Sequence, residues 1–212
     1  MRVRVKICGI TRAEDAQEAA RLGADAVGVV LYPPSPRGVD PEGARAALEG
    51  LPAFVTRVGV FVDPEPEWVR AALEAAALDL LQFQGGEEPA FCRAFGRPYL
   101  KALRAGPGTD LAGEARRYAD AAAILVDTHR PGLPGGTGEA FDWSLLPPGL
   151  GRPPQGRPLV LAGGLRPGNV AEAIRRVRPW AVDVSSGVEA APGIKDAAAM
   201  AAFMREVRGA GS

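Results

Sequence analysis

Short apolar runs alternate along the chain with longer stretches in which apolar positions recur every three or four residues. The short runs predict strands at Val3–Cys8, Ala26–Leu31, Val55–Val62, Leu78–Phe83, Pro98–Leu103, Ala123–Asp127, Leu159–Leu161 and Ala181–Val184. The stretches between them, such as Glu14–Leu22, Glu42–Leu48, Pro66–Ala76, Gly113–Ala119, Asn169–Val177 and Ala197–Val207, carry the spacing of helices with one buried face. The strands are continuously apolar rather than alternating, as parallel strands covered on both faces are. Eight strands, each followed by a helical stretch, predict a single α/β domain over residues 1–212, an eight-stranded parallel (β/α)8 barrel of the TIM type. The rival is an open doubly wound sheet. It would carry a G-x-G-x-x-G turn after its first strand, where this chain has Cys8-Gly9-Ile10-Thr11.

Composition narrows the function. The 25 basic and 25 acidic residues cancel to a net charge of zero, without the basic excess of a nucleic-acid binder. No apolar run reaches the roughly 18 residues of a membrane span, and with Arg2, Arg4 and Lys6 the first stretch is not expected to be a signal peptide. The expectation is a cytoplasmic protein with neither a nucleic-acid nor a membrane partner. Two cysteines, Cys8 and Cys92, are too few for a disulfide scaffold. Scarce amides and 20 prolines fit heat adaptation and a GC-rich genome equally well.

Barrel enzymes place their chemistry at the carboxyl ends of the strands. Here those ends carry Cys8, Arg37 just beyond the second strand, Gln84, Asp127, Gly163-Gly164 and Asp183-Val184-Ser185-Ser186-Gly187. The two glycine-containing ends are either phosphate cradles, where backbone N–H groups approach an anion, or simply tight turns. Asp127 is a proton donor or acceptor, or else a loop anchor. Cys8 is a nucleophile, a base as thiolate, or a small buried hydrophobe. Arg37, in a loop stiffened by Pro33, Pro34 and Pro36, is either a carboxylate clamp or a solvated surface group. Lys6 shares a strand face with Cys8 and needs a partner, for which Asp183 is the candidate. His129 reads as incidental. With one histidine and no cysteine cluster, no metal site is expected.

Lys6-Ile7-Cys8-Gly9-Ile10-Thr11, Ser35-Pro36-Arg37, Val58-Gly59-Val60-Phe61, Asp127 with Gly135-Gly136-Thr137-Gly138, Leu161-Ala162-Gly163-Gly164-Leu165, and Asp183-Val184-Ser185-Ser186-Gly187-Val188-Glu189 follow one another in order. Together they resemble the phosphoribosylanthranilate isomerase family of tryptophan biosynthesis. The resemblance implies a (β/α)8 barrel that carries out an Amadori rearrangement of a phosphorylated sugar without metal or cofactor, as a monomer or homodimer. It implies Cys8 as general base and Asp127 as general acid. Arg37, Gly136, Gly163, Gly164, Asp183, Ser186 and Gly187 are the implied substrate-binding set. One departure stands out: the family usually has Leu-Gln-Leu-His-Gly after the fourth strand, and this chain has Leu81-Gln82-Phe83-Gln84-Gly85. Gln84 cannot titrate, so its role is hydrogen bonding or packing.

Overall fold

The computed structural model describes residues 2–106, 108–128, 143–147, 150 and 156–210. Eight parallel strands close on themselves in sequence order: β1 Arg4–Cys8, β2 Ala26–Val30, β3 Thr56–Phe61, β4 Leu80–Phe83, β5 Tyr99–Ala105, β6 Ala123–Thr128, β7 Leu159–Leu161 and β8 Ala181–Val184. Closure is by β1, whose Lys6 is in register with Ala26 of β2 on one side and Asp183 of β8 on the other. Helices α1 Ala13–Arg21, α2 Pro41–Ala47, α3 Pro66–Ala75, α4 Pro89–Arg93, α5 Leu111–Arg117, α6 Val170–Val177 and α7 Ala197–Ala210 wrap the ring. The expected barrel is therefore present, and the open sheet is excluded.

Strand parity divides the buried residues into two sets. Val5, Ile7, Val27, Val29, Phe61, Phe83, Leu161 and Val182 point outward into the large core beneath the helices. Leu100, Ala102, Ala123, Leu125, Val160, Ala162 and Ala181 fill one side of the barrel interior, and Cys8, Val58 and Val60 another. The interior is thus a packed core, with its polar residues confined to particular strands.

Local signals explain several boundaries. Asp40 and Asp110 accept hydrogen bonds from the backbone N–H groups of Gly43 and Gly113, capping α2 and α5. Capping by Asp110 starts α5 at Leu111, two residues earlier than apolar spacing suggested. Between β6 and β7 the described residues show a 3₁₀ turn at Trp143–Leu145. After β8, a 3₁₀ turn at Ser186–Val188 leads into a small antiparallel hairpin, β9 Glu189–Ala191 and β10 Ile194–Lys195, before α7. The sequence reading did not anticipate that hairpin. Among the described residues no helix is long and apolar enough to cross a membrane.

Candidate active site

The first layer is built on β1. Lys6 and Cys8 both face the interior, and the room they occupy is made by Gly28 of β2. A Cβ on Gly28 would lie 2.9 Å from Cys8 Sγ and 3.0 Å from Lys6 Cε. Lys6 Nζ donates to Asp183 Oδ1 at 2.9 Å, so the ion pair anticipated between neighbouring strands is formed inside the barrel. Burial by itself would lower the Lys6 pKa, but attraction to Asp183 and Cys8 outweighs it and raises the pKa above the usual lysine value. For Cys8 the balance falls the other way. Burial raises its pKa above that of an ordinary thiol, and the opposing pull of Lys6 offsets this only in part.

Asp127 is the penultimate residue of β6 and lies on the same inner face, three strands from β1 by way of β7 and β8. Its orientation follows from its partner. Gln84, just beyond β4, donates through Nε2 to Asp127 Oδ2 at 3.1 Å, across a ring position occupied by β5. Only inward-pointing side chains from β4 and β6 can meet that way. Cys8 and Asp127 are 7% and 8% exposed, so both are largely withdrawn from water at the carboxyl end of one barrel.

Arg37 is drawn over this mouth by its loop. Gly38 N donates to Ser35 O, Val39 N donates to Val30 O, and Arg37 N donates to Ser35 Oγ. Its side chain crosses Gly9, where a Cβ would sit 2.6 Å from Arg37 Cδ. The guanidinium grips Glu189 through Nε at 2.8 Å and Nη2 at 2.7 Å. Glu189 is in turn bound by Lys195 Nζ at 2.7 Å, and Lys195 Nζ also donates to Ser185 O. Burial would raise the Glu189 pKa, but hydrogen bonds from Arg37 and Lys195 hold it below the usual carboxylate value. Sequence reasoning gave Glu189 and Lys195 no role. The signal available was Pro192-Gly193, a turn that folds the two onto adjacent strands.

The two glycine-containing ends lie side by side on β7 and β8. Gly163 and Gly164 have φ of +85° and +63°, a conformation other residues adopt only with strain. Asn169, also without a role in the sequence reading, donates to Gly164 O at 2.9 Å and accepts from Arg166 N at 2.8 Å, which locks that turn. Gly187 packs against the same loop so closely that a Cβ would lie 1.9 Å from Leu165 O. Ser186 opens the short 3₁₀ turn beside it. Gly136 and His129 lie outside the described residues.

A closed (β/α)8 barrel that gathers an inward thiol, an inward carboxyl and two adjoining glycine turns at the carboxyl ends of its strands has the build of a barrel enzyme. The particular family follows from comparison with known proteins. Residues 5–206 match the family model of N-(5'phosphoribosyl)anthranilate (PRA) isomerase, and the chain belongs to that family. N-(5'-phosphoribosyl)anthranilate isomerase of Pseudomonas putida is 57% identical over 206 residues, covering 97% of this chain and 98% of the relative. That of Nitrosospira multiformis is 55% identical over 207 residues, covering 98% and 97%. Among solved structures, the phosphoribosyl anthranilate isomerase of Thermotoga maritima superposes with a TM-score of 0.88 at 45% identity, covering 98% of this chain and 99% of its own. A phosphoribosyl anthranilate isomerase in complex with reduced 1-(o-carboxyphenylamino)-1-deoxyribulose 5-phosphate gives 0.85 at 44% identity, with the same coverage.

Proposed function

We propose that this chain catalyses the Amadori rearrangement of N-(5'-phosphoribosyl)anthranilate to 1-(2-carboxyphenylamino)-1-deoxyribulose 5-phosphate, an isomerisation in tryptophan biosynthesis. The observation that carries the mechanism is the inward placement of Cys8 and Asp127 at the carboxyl end of one ring.

Protonated Asp127 gives its proton to the furanose ring oxygen. The bond from the anomeric carbon to that oxygen breaks, leaving a cationic Schiff base between the sugar and the anthranilate nitrogen. The cation acidifies the hydrogen on the second sugar carbon, and the Cys8 thiolate removes it. The resulting enol-amine tautomerises to the ketone. Between turnovers the thiol loses its proton to water and the carboxylate regains one, so the protons balance. Each such group contributes roughly 10²–10⁴ in rate. The raised Cys8 pKa suits this order of events: the thiol ionises most readily once the positive Schiff base stands beside Lys6.

Arg37, oriented by Glu189, holds the anthranilate carboxylate with the N–H groups that Glu189 leaves available. Gly163, Gly164, Ser186 and Gly187 offer backbone N–H groups to the phosphate, with Gly136 as a further contributor. Asp183 acts from beneath, as the counter-charge of Lys6.

Cytoplasmic residence follows from the reading as a biosynthetic enzyme. The assembly is a monomer or a homodimer. The isomerase of Thermotoga maritima is dimeric, and here Phe54, 99% exposed between α2 and β3, is, among the described residues, the large apolar side chain a homodimer has most reason to cover.

The test is the loss of anthranilate fluorescence when enzyme meets freshly made substrate. Wild type should convert it. Cys8→Ala and Asp127→Asn should bind it but fail to turn over. Near-normal kcat in either variant would remove that residue from the mechanism, and binding without conversion by wild type would leave only a sugar-phosphate binding barrel.

A further inference from the structure

Beneath the proposed acid lies a chain of two amides. Gln82 Nε2 donates to Gln84 Oε1 at 3.0 Å, and Gln84 Nε2 donates to Asp127 Oδ2 at 3.1 Å. Gln82 is 1% exposed, and its Oε1 is a buried acceptor with no hydrogen-bond partner. An orphaned acceptor in a barrel interior is costly and calls for a reason.

The donor directions supply one. As arranged, every amide in the chain donates towards Asp127, which suits an ionised carboxylate because that group only accepts. A general acid must also exist protonated, and a protonated Oδ2 needs an acceptor. The two ends of a glutamine amide have nearly the same shape. If both side chains turn half a revolution about their last torsion, Asp127 Oδ2–H donates to Gln84 Oε1 and Gln84 Nε2 donates to Gln82 Oε1. The orphaned oxygen then becomes the last acceptor of the chain, and Gln82 Nε2 takes its unpartnered place.

We propose that Gln82 and Gln84 form a reversible amide relay that keeps Asp127 hydrogen-bonded in both of its protonation states. Both are positioning residues, acting through Asp127. No N–H bond breaks in the reversal. The only proton that moves is the one Asp127 gives to the ring oxygen, and the amides return when the carboxyl is recharged. A histidine at position 84 would instead add a second titrating group beside the acid; glutamine provides both polarities without changing charge.

Other groups share the inner face with Asp127. Arg104 stands in register with it on β5, Cys8 and Lys6 lie on β1, and Asp183 lies on β8. On β7 the neighbouring positions are Ala162 and Gly163, neither of which titrates. The relay sets what Asp127 Oδ2 is bonded to in each protonation state.

The proposal takes Asp127 to be the acid, but its test does not depend on turnover. Side-chain amide resonances of 15N-glutamine-labelled protein are followed against pH and assigned with Gln82→Met and Gln84→Leu. Both amides should shift with one midpoint, and both shifts should vanish in Asp127→Asn. A Gln82 resonance that stays put while Gln84 moves, or no shift in either, overturns the relay. In kinetics Gln82→Met, which leaves Asp127 and Gln84 in place, should lower kcat about five-fold, as the loss of one hydrogen bond does, with KM unchanged. An unchanged kcat also overturns it. If the amides titrate together while Asp127→Asn still turns over, the relay stands and the acid assignment fails.

Discussion

Removing either partner of the buried Lys6–Asp183 pair should destabilise the protein equally but move Cys8 in opposite directions. The two charges are 2.9 Å apart, with side chains only 5% and 10% exposed. At an effective dielectric near 20, attraction at this distance is about 6 kcal/mol, much of it offset by the water both groups have given up. Deleting one member leaves the other charge buried without compensation, which costs about 3–5 kcal/mol. For a chain of this length that corresponds to a fall in Tm of roughly 6–20 °C. Asp183→Asn and Lys6→Met should both show it in thermal and urea melts.

Their effects on Cys8 should diverge. Lys6 pulls the thiol pKa down and Asp183 pushes it up. In Asp183→Asn the thiolate becomes the remaining counter-charge of Lys6, so the alkaline-rising limb of kcat/KM should move to lower pH. In Lys6→Met the attraction is gone, and the limb should move higher still. The assay is the fluorescence decay of substrate measured across the pH range in which each variant remains folded. Limbs that move the same way, or a stability loss below about 1 kcal/mol in either variant, would refute the reasoning.

Three further outcomes are expected. Gly187→Ala forces a methyl to within 1.9 Å of Leu165 O, so the β7 and β8 ends must part; melts should show a loss of at least about 1–3 kcal/mol, and substrate KM should rise. Glu189→Gln frees Arg37 and removes a carboxylate held below its usual pKa by Arg37 and Lys195. Such a group contributes stability above its unfolded pKa of about 4.3 that is lost as pH falls through the lower folded value, so the stability gap between wild type and variant, read by denaturant titration, should be full near neutrality and shrink in acid. Asn169→Ala unlocks the Gly163-Gly164 turn and should weaken inorganic phosphate binding, measured by calorimetry, with little change in the pH dependence of kcat.

Much of this was legible in the chain itself. Period and strand composition predicted all eight strands to within about two residues at either end, because parallel strands covered on both faces read as mostly apolar runs. Cys8, Arg37, Asp127 and the glycine-containing ends were found by asking which residues follow those strands. Partnership was legible for Lys6 and Asp183, which the barrel reading put on neighbouring strands, but not for Arg37 and Glu189, whose meeting depends on a short hairpin after β8. Nothing in the sequence around Gln82 indicates its partner. Only the ring, by setting β4 across from β6, made it the far end of a chain leading to Asp127.

The division has a physical basis. Periodicity and strand ends are local properties, written in neighbouring residues and decided by burial. Charge balance, hydrogen-bond direction and the sign of a pKa shift depend on distances between residues far apart in sequence, and those distances exist only once the ring has closed. The thiol at position 8 was visible from the first eight residues. That burial would raise its pKa, with Lys6 opposing, was decided by Gly28 and Asp183 on the two adjacent strands.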